Sequence, residues 1–378
     1  TITERYTLDP IVIDNTILSC NDVYNEDGNS YGHYLTFTYH IRGSQYGAGV
    51  HYFDTPGGNV DLQLTNRQID WNTTHMWQVG NQFGREMVIA GDSKSGPVVH
   101  RLQWESPSQG PNGEFIAGDS LAISRNDLFE MPGGSANQIT RFNGQLLLST
   151  GNQDAAAGLY LLSDLGDQII SQDIRSGIKG IYPVGNSRVI ALQDNGENAN
   201  ANILIYTVTD NSLGTPRGFD LGVPIAPQFG KNDVFIYQDR AYLSMGNSGM
   251  IILNIPTNEQ VNNPSFTPVI QRYNQFTGPV NSVFVDDLYV YVAEGSGLSI
   301  MEMDPSDNTI LHTVRRLSAS DIAGDSDPSL VSVNEVTTGV GDFWTLDENG
   351  NRVERNIRNQ RFLAIAAGRL GARLYFLD

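Results

Sequence analysis

The most regular feature of the chain is a phrase made of an apolar run, a short Gly-rich turn and a second apolar run. It is clearest at Leu288–Met303, where the turn is Glu-Gly-Ser-Gly, and it recurs at Ala241–Ile255 around Gly-Asn-Ser-Gly. The apolar runs are rich in β-branched and aromatic residues, which is typical of strands joined by tight turns. A strand-and-turn unit that repeats every roughly 40–50 residues predicts the blades of a β-propeller.

Seven copies of this unit follow one another along the chain. They are Tyr34–Asp54, Met87–Trp104, Leu146–Leu162, Val189–Thr207, Ala241–Ile255, Leu288–Met303 and Phe362–Leu377. Four of the six intervals between their turns are close to 47 residues, which is the length of a blade. The sequence therefore predicts a single all-β domain over Thr1–Asp378, a seven-bladed β-propeller in which each unit forms the middle two strands of a four-stranded blade.

Each blade also needs an inner strand before its unit and an outer strand after it. The candidate inner strands are Gln138–Phe142, Ile181–Val184, Val234–Tyr237, Val283–Val285 and Leu330–Val333, and the best candidate outer strand is Asn59–Leu64. The last unit is followed by no outer strand, and the β-branched run Ile11-Val12-Ile13 could supply one, so that the N-terminal strand closes the last blade. Such pairing would remove an exposed sheet edge, whereas the alternative is a frayed N-terminal tail.

The two long intervals predict insertions, around Glu105–Glu114 and within Ser318–Asn356. Loops on a rigid scaffold often carry function. The second insertion contains Phe343, Trp344 and Arg352, and Trp104 borders the first; aromatic residues and arginine are the types that anchor interfaces. These four residues are therefore candidate binding residues, and packing of the aromatic rings against the blades is the alternative.

The segment Val290–Ile300 reads Val-Tyr-Val-Ala-Glu-Gly-Ser-Gly-Leu-Ser-Ile and resembles the LVIVD repeat. Ala241–Ile255 and Phe362–Leu377 resemble the same repeat, although Asn254 and Glu302 stand where the repeat has an aspartate after its second strand. The resemblance implies a β-propeller of a bacterial exported or cell-surface protein. It implies no set of catalytic residues.

Composition narrows the range of partners and locations. The net charge of −19, from 42 acidic and 23 basic residues, argues against nucleic acid and anionic membranes, because phosphate binding needs clustered Lys and Arg. No apolar stretch approaches the roughly 18 residues that span a bilayer. The N-terminus has no signal-peptide pattern, so an exported protein would be represented here by a mature or trimmed form. With Cys20 as the one cysteine, no intrachain disulfide can form. The resemblance to the LVIVD repeat implies an extracellular, periplasmic or cell-surface location, and we expect a monomer.

Two segments are candidates for metal binding. His40 and His51 lie on either side of the Gly43–Gly49 turn and are expected to face each other across a hairpin, near enough to share a metal; polar cross-strand pairing is the alternative. Asp347–Asn351 spaces oxygen ligands loosely like a calcium loop, but its Asn-Gly step favours a hairpin turn. No cofactor is therefore expected, with calcium as the open alternative.

The mouth of a propeller's central channel is the usual ligand site. The residues at the ends of the first strands of the seven units are of mixed type: Arg42, Gly91, Thr150, Gln193, Met245, Glu294 and Ala367. This mixture argues against a symmetric metal or substrate site. Asp92, Asp194 and Glu294 could form an acidic mouth that attracts cations, and solvated turn carboxylates are the alternative.

The sequence thus predicts a non-catalytic binding or scaffolding module whose partner is a protein or glycan at the cell surface. The Gly-x-Ser-x-Gly nucleophile elbow of hydrolases does not occur. The alternative function is a lactonase-like propeller hydrolase with a calcium ion in the channel, held by three or more carboxylate or amide oxygens. A structural domain of a larger surface protein is a third hypothesis.

Overall fold

The computed structural model describes backbone and side chains over residues 136–151, 155–226, 232–304, 312–339 and 360–377. It also describes Pro111, Glu348 and the backbone of the remaining strands given below. The fold is all-β and is built from several antiparallel sheets.

Among the described residues, the strands form seven sheets of four or five strands and one two-stranded hairpin. We number the sheets 1 to 7 in chain order. Sheet 1 contains Asp14–Tyr24, Ser30–Ile41, Gly47–Asp54 and Gln63–Thr65. Sheet 2 contains Met76–Val79, Glu86–Ser93, Gly96–Trp104, Leu121–Ile123 and Phe129–Glu130. The hairpin, Ser108–Gln109 and Phe115–Ile116, lies between the third and fourth strands of sheet 2 in the chain.

The next three sheets follow the same plan. Sheet 3 contains Ala136–Phe142, Gln145–Thr150, Gly158–Leu162 and Ile169–Ile174. Sheet 4 contains Ile178–Val184, Arg188–Gln193, Asn202–Thr209, Ser212–Leu213 and Arg217–Asp220. Sheet 5 contains Val234–Tyr237, Arg240–Ser244, Met250–Asn254 and Ile270–Tyr273.

The last two sheets differ in how they are completed. Sheet 6 contains Ser282–Val285, Val290–Ala293, Gly297–Met303 and Leu311–Ser318. Sheet 7 contains Val331–Leu346, Arg352–Gly368 and Ala372–Leu377, with Ile2–Leu8 as its fourth strand. Short helices occur at Asn258–Asn262 and Ala319–Ala323, and a 3₁₀ turn at Pro328–Leu330.

The seven predicted units are confirmed as the second and third strands of the seven sheets. All five predicted inner strands coincide or overlap with the first strands of sheets 3 to 7. Of the predicted outer strand Asn59–Leu64, the structure describes only the end, within Gln63–Thr65, which pairs with Tyr52–Asp54.

The N-terminal strand completes the last sheet, but it is a different strand from the one predicted. Ile2–Leu8 runs antiparallel to Ala372–Leu377, with Ile2 opposite Leu377 and Leu8 opposite Ala372. Residues 11–13, which were expected to supply this strand, lie outside the described residues. Sheet 7 is therefore assembled from both ends of the chain.

The middle strands of sheets 3 to 7 are apolar on both faces because each of these sheets packs against the next. One buried cluster lies between sheets 4 and 5, around Leu192, Ile203 and Leu243, and equivalent clusters join sheets 3 to 4, 5 to 6 and 6 to 7. The fourth strands are different: in Ile169–Ile174, half-buried and exposed residues alternate. A strand covered on both faces reads as a continuous apolar run, which explains why the middle strands were visible in the sequence.

The first strands of successive sheets lie side by side throughout the chain. This neighbour relation holds from sheet 1 to sheet 7, and the first strand of sheet 7, Val331–Leu346, also lies next to the first strand of sheet 1, Asp14–Tyr24. At this edge Gly246 pairs with Val280, which leads into sheet 6, through two backbone hydrogen bonds of 2.9 Å. Gly246 has a φ of 61°, and a Cβ there would lie 1.9 Å from the Ala226 carbonyl oxygen. Glycine is therefore required where successive sheets meet.

The interval Ser318–Asn356 is not a loop insertion as predicted. After the short helix and the 3₁₀ turn, it is occupied mainly by the first strand of sheet 7. This strand pairs with the second strand along its whole length, from Val331 opposite Gly368 to Leu346 opposite Arg352. Of this second strand, the third strand, Ala372–Leu377, pairs with Arg361–Ala366 only. The far half of this hairpin thus continues past the third strand as a two-stranded ribbon, which we call the sheet 7 ribbon (Gly341–Leu346 and Arg352–Gln360).

Candidate functional site

Polar residues recur at one position near the start of the first strands of sheets 3 to 7. The residues at this position are Asn137, Lys179, Asn232, Asn281 and Asn334. The side chains of Lys179, Asn232 and Asn281 are buried. Buried polar groups need partners, so the partners of these side chains define what this edge of the sheets does.

Two of the asparagines join one sheet to the next. Asn137 Nδ2 in sheet 3 donates to the Ile178 carbonyl, 2.7 Å away, and Asn281 Nδ2 in sheet 6 donates to the Val333 carbonyl at 2.9 Å. Ile178 and Val333 each directly precede the equivalent polar residue of the following sheet. The same hydrogen bond is therefore made twice, from sheet 3 to 4 and from sheet 6 to 7.

Sheet 4 has a lysine in place of the asparagine, and it reaches the same neighbour. Lys179 Nζ donates to Asn232 Oδ1 of sheet 5 at 3.1 Å, and it lies 3.6 Å from Asp194 Oδ2 of its own sheet. The side chains of Lys179 and Asp194 are each 5% exposed. Burial lowers the pKa of Lys179, while the Asp194 charge opposes that shift. The pair is thus a buried ion pair that also spans two sheets.

Sheet 5 continues this network towards sheet 6 through Ser244. Its hydroxyl lies 2.9 Å from Asp233 Oδ1 and 3.1 Å from the Asn281 carbonyl of sheet 6, and its own carbonyl accepts from Asn232 Nδ2 at 3.1 Å. Ser149 makes the equivalent contact in sheet 3, donating to the Lys179 carbonyl at 2.7 Å. We call Lys179, Asp194, Asn232, Asp233, Ser244 and Asn281 the inner polar band, a contiguous set of buried polar side chains across sheets 4 to 6.

Glu294 lies at the corresponding edge of sheet 6 and is fully buried. Its Oε1 accepts from Ser299 Oγ at 2.7 Å and lies 3.1 Å from Arg316 Nη2 on the fourth strand. Its Oε2 accepts from the backbone N–H of Thr277 at 2.7 Å. Glu294 therefore ties the fourth strand and the loop leading into sheet 6 to the middle of that sheet.

The predicted acidic residues at the channel mouth are not brought together by these contacts. Asp194 and Glu294 lie in different sheets, both are buried, and each faces a basic partner, so neither is a solvated turn carboxylate. The backbone of Asp92 pairs with Pro97 in sheet 2. Asp194 and Glu294, whose side chains are described, therefore form ion pairs inside the protein, with Lys179 and Arg316.

The candidate interface residues lie in strands. The backbone of Phe343 pairs with Ile357 and that of Arg352 with Leu346, so Phe343, Trp344 and Arg352 all lie in the sheet 7 ribbon. Trp104 ends the third strand of sheet 2, opposite Leu121 and just before the two-stranded hairpin.

The histidine pair was predicted wrongly. In sheet 1, Ala48 lies opposite His40 and Phe37 opposite His51, so the two histidines are not cross-strand partners. This register places the turn of the hairpin closer to His40 than the Gly43–Gly49 segment suggested. Of the predicted calcium loop Asp347–Asn351, only Glu348 lies within the described residues.

Two searches of the described part of the chain were negative. It contains no group of three or more His, Cys, Asp or Glu side chains placed to hold a metal ion. None of its helices has the length and apolar character to cross a membrane.

Sequence reasoning missed most of the inner polar band. Of its six residues only Asp194 was singled out, and Lys179, Asn232, Asp233, Ser244 and Asn281 were not. The available signal was the asparagine that recurs near the start of the first strands of sheets 3, 5, 6 and 7, at Asn137, Asn232, Asn281 and Asn334. Its meaning depends on partners in a neighbouring sheet, which a single repeat does not reveal.

Comparisons with known proteins support the fold alone. No family model and no curated protein matches the chain. Among solved structures, a putative 6-phosphogluconolactonase from Bacteroides uniformis ATCC 8492 is 12% identical, with a TM-score of 0.52 over 78% of this chain and 84% of that chain. The Dos1 propeller is 9% identical, with a TM-score of 0.52 over 99% of this chain and 95% of that chain. A Lactobacillus plantarum protein is 11% identical, with a TM-score of 0.50 over 81% and 96%. The structural neighbours thus include propeller proteins.

The ion pair of the inner polar band yields a stability prediction. Replacing Lys179 by Met leaves the Asp194 carboxylate buried without its cation, which should lower the free energy of unfolding by about 3–5 kcal/mol. In the double variant Lys179→Met/Asp194→Asn, the buried charge is gone, so part of that loss should be recovered. Urea unfolding of the two single variants and the double variant measures this coupling. Additive losses would show that the two charges do not interact.

Proposed function

We propose that the chain is one seven-bladed β-propeller domain, closed by its N-terminal strand, that serves as a non-catalytic binding or scaffolding module of an exported or cell-surface protein. Its partner is a protein or glycan, and it acts as a monomer. The resemblance to the LVIVD repeat supports the location and is itself part of the proposal.

Three features of the frame support a closed ring of seven blades. Seven sheets share one strand order, and their first strands are neighbours in chain order, with sheet 7 also next to sheet 1. Ile2–Leu8 gives sheet 7 the fourth strand that it would otherwise lack. Full closure removes open edges between blades, which is how propellers avoid exposed sheet faces.

The observation that carries a binding role is the sheet 7 ribbon. Its hairpin register continues to Leu346 and Arg352. The two strands of this hairpin have 16 and 17 residues and are longer than the other strands that the structure describes, and the ribbon contains Phe343, Trp344 and Arg352. Aromatic residues and arginine are enriched where proteins bind partners. We propose the ribbon, together with Trp104 beside the extra hairpin of sheet 2, as the contact surface.

The inner polar band supports a scaffolding role for the channel-side residues. The hydrogen bonds of this band lie within one sheet or between neighbouring sheets, and they are made by the side chains of Lys179, Asn232, Ser244 and Asn281. Asp194 is already paired with a cation, which reduces its attraction for a second one. These contacts favour a structural role for the side chains over a role in substrate binding.

A lactonase-like hydrolase with calcium in the channel is the second candidate. It is favoured by the fold that the chain shares with the Bacteroides uniformis protein, a likeness at 12% identity. In this alternative Asp92, Asp194 and Glu294 would supply oxygen ligands to the calcium ion, and both described carboxylates would have to exchange their basic partners for the metal.

An activity assay separates the two candidates. With 6-phosphogluconolactone as the probe, the purified chain should release acid no faster than buffer does, whether calcium or EDTA is present, because its described channel-side acids are engaged in the frame. A pH-stat records the rate. Saturable hydrolysis that requires calcium and stops when EDTA is added would contradict the binding proposal and favour the lactonase.

The ribbon makes a second prediction for the same proposal. Trp344→Ala should change the melting temperature little, since a partner-facing aromatic contributes little to the isolated fold. Phe362→Ala, a matched change of a fully buried aromatic in the same hairpin, should cost about 3–5 kcal/mol. Thermal unfolding followed by circular dichroism compares them. A loss of similar size in both variants would mean that Trp344 is a core residue.

A further inference from the structure

A half-open cavity of about 660 Å³ lies where sheets 4 and 5 meet, at the end opposite the inner polar band. Its walls come from the first hairpins of both sheets and from the segment after the third strand of sheet 5. The lining residues are Val184, Arg188, Gln238, Asp239, Arg240, Asn254, Ile255, Thr257, Asn258 and Gln260. The volume falls within the range of roughly 300–1,000 Å³ that is usual for small-ligand sites.

Arg188 gives this cavity a fixed positive charge. It begins the second strand of sheet 4 and crosses to sheet 5, where its Nη1 donates to the Pro256 carbonyl at 2.5 Å. A guanidinium has five N–H donors in one plane, so this bond orients the group while other donors remain for a ligand. Among the described residues, Arg188 forms no ion pair. In a chain of net charge −19, such a cation favours an anionic group.

Arg240 also lines the cavity, at the start of the second strand of sheet 5. Its charge adds to the positive charge of the cavity, which also favours an anionic group. Two guanidinium groups therefore lie at one cavity, and the Pro256 carbonyl orients that of Arg188.

The remaining polar lining suits hydroxyl groups. Asn254 and Asn258 carry amides, which both donate and accept, and both residues are exposed. Asp239 is exposed at the rim and only accepts. A sugar hydroxyl also donates and accepts, so one ring can satisfy both kinds of group at once. Val184 and Ile255 add a small apolar wall for the carbon skeleton.

We propose that this cavity is a binding site for a carboxylated saccharide, with the carboxylate at Arg188 and the hydroxyls at the amide side chains. The inference rests on the proposed binding function and names a ligand class for it. It uses a surface separate from the sheet 7 ribbon, so the two proposals can fail separately.

The test uses D-glucuronate as the probe and D-glucose as its neutral counterpart, with binding followed by saturation-transfer difference NMR. The wild-type chain should bind glucuronate saturably and glucose more weakly. Arg188→Gln should weaken glucuronate binding at least about tenfold, because a charge-assisted hydrogen bond is lost. Arg369→Gln, a change of an exposed arginine at a turn of sheet 7 outside the cavity, should leave the affinity within about twofold. Arg188→Lys keeps the charge but not the planar fork and should bind with intermediate affinity.

Several outcomes would overturn the proposal. They are no saturable glucuronate binding by the wild-type chain, equal binding of glucose, and equal effects of the Arg188→Gln and Arg369→Gln variants. Loss of the Pro256 contact could unfold Arg188→Gln, and the melting temperature detects this. In that case Arg188→Lys decides, and wild-type affinity in that variant contradicts recognition by the guanidinium. None of these outcomes bears on lactone hydrolysis or on Trp344. A failure of the saccharide site therefore leaves the proposed function unchanged, and a failure of the lactonase or Trp344 tests does not decide the saccharide site.

Discussion

The structure depends on one constraint: each of sheets 3 to 7 carries apolar side chains on both faces and cannot cover them alone. Leu159 and Leu161 in sheet 3 pack with Val189 and Leu204 of sheet 4, and the pattern continues to sheet 7. The sheets must therefore stack, and the stack is stable only where every face has a neighbour. Sheet 7 is completed in the same way as the others by a fourth strand, Ile2–Leu8, which pairs with Ala372–Leu377.

The polar groups at the inner edge serve this stacking. Hydrophobic faces hold sheets together without fixing their mutual position, whereas hydrogen bonds are directional. The contacts from Asn137 to Ile178 and from Asn281 to Val333 repeat one geometry at two junctions, and Lys179 substitutes for the asparagine at a third. Buried groups of this kind are costly unless paired, and here they are paired across the junctions. The frame is thereby fixed, and the two contact surfaces that we propose, the sheet 7 ribbon and the cavity beside Arg188, lie outside the inner polar band.

The sequence predicted the second and third strands of each sheet well and the fourth strands poorly, for a physical reason. Middle strands such as Gly158–Leu162 are buried on both faces and read as apolar runs, while Ile169–Ile174 is a half-exposed strand whose alternation is weak. The same effect explains the wrong N-terminal strand: Ile11-Val12-Ile13 was preferred for its β-branched residues, whereas the pairing strand Ile2–Leu8 includes Thr3, Glu4 and Arg5. The burial of Asp194 and Glu294 could not be predicted, since it depends on Lys179 and Arg316, which lie 15 and 22 residues away in the chain. The cavity was also missed, because two sheets form its walls.

The central claim is that the N-terminal strand is an integral part of the last sheet, and amide hydrogen exchange tests it most directly. In the full chain, the amides of Ala372–Leu377 should exchange slowly because the strand is paired on both sides, with Arg361–Ala366 and with Ile2–Leu8. Removing residues 1–8 should accelerate exchange across Ala372–Leu377 while the middle strands of sheets 3 to 5 keep their protection. Unchanged exchange at Ala372–Leu377 in the shortened chain would contradict the account.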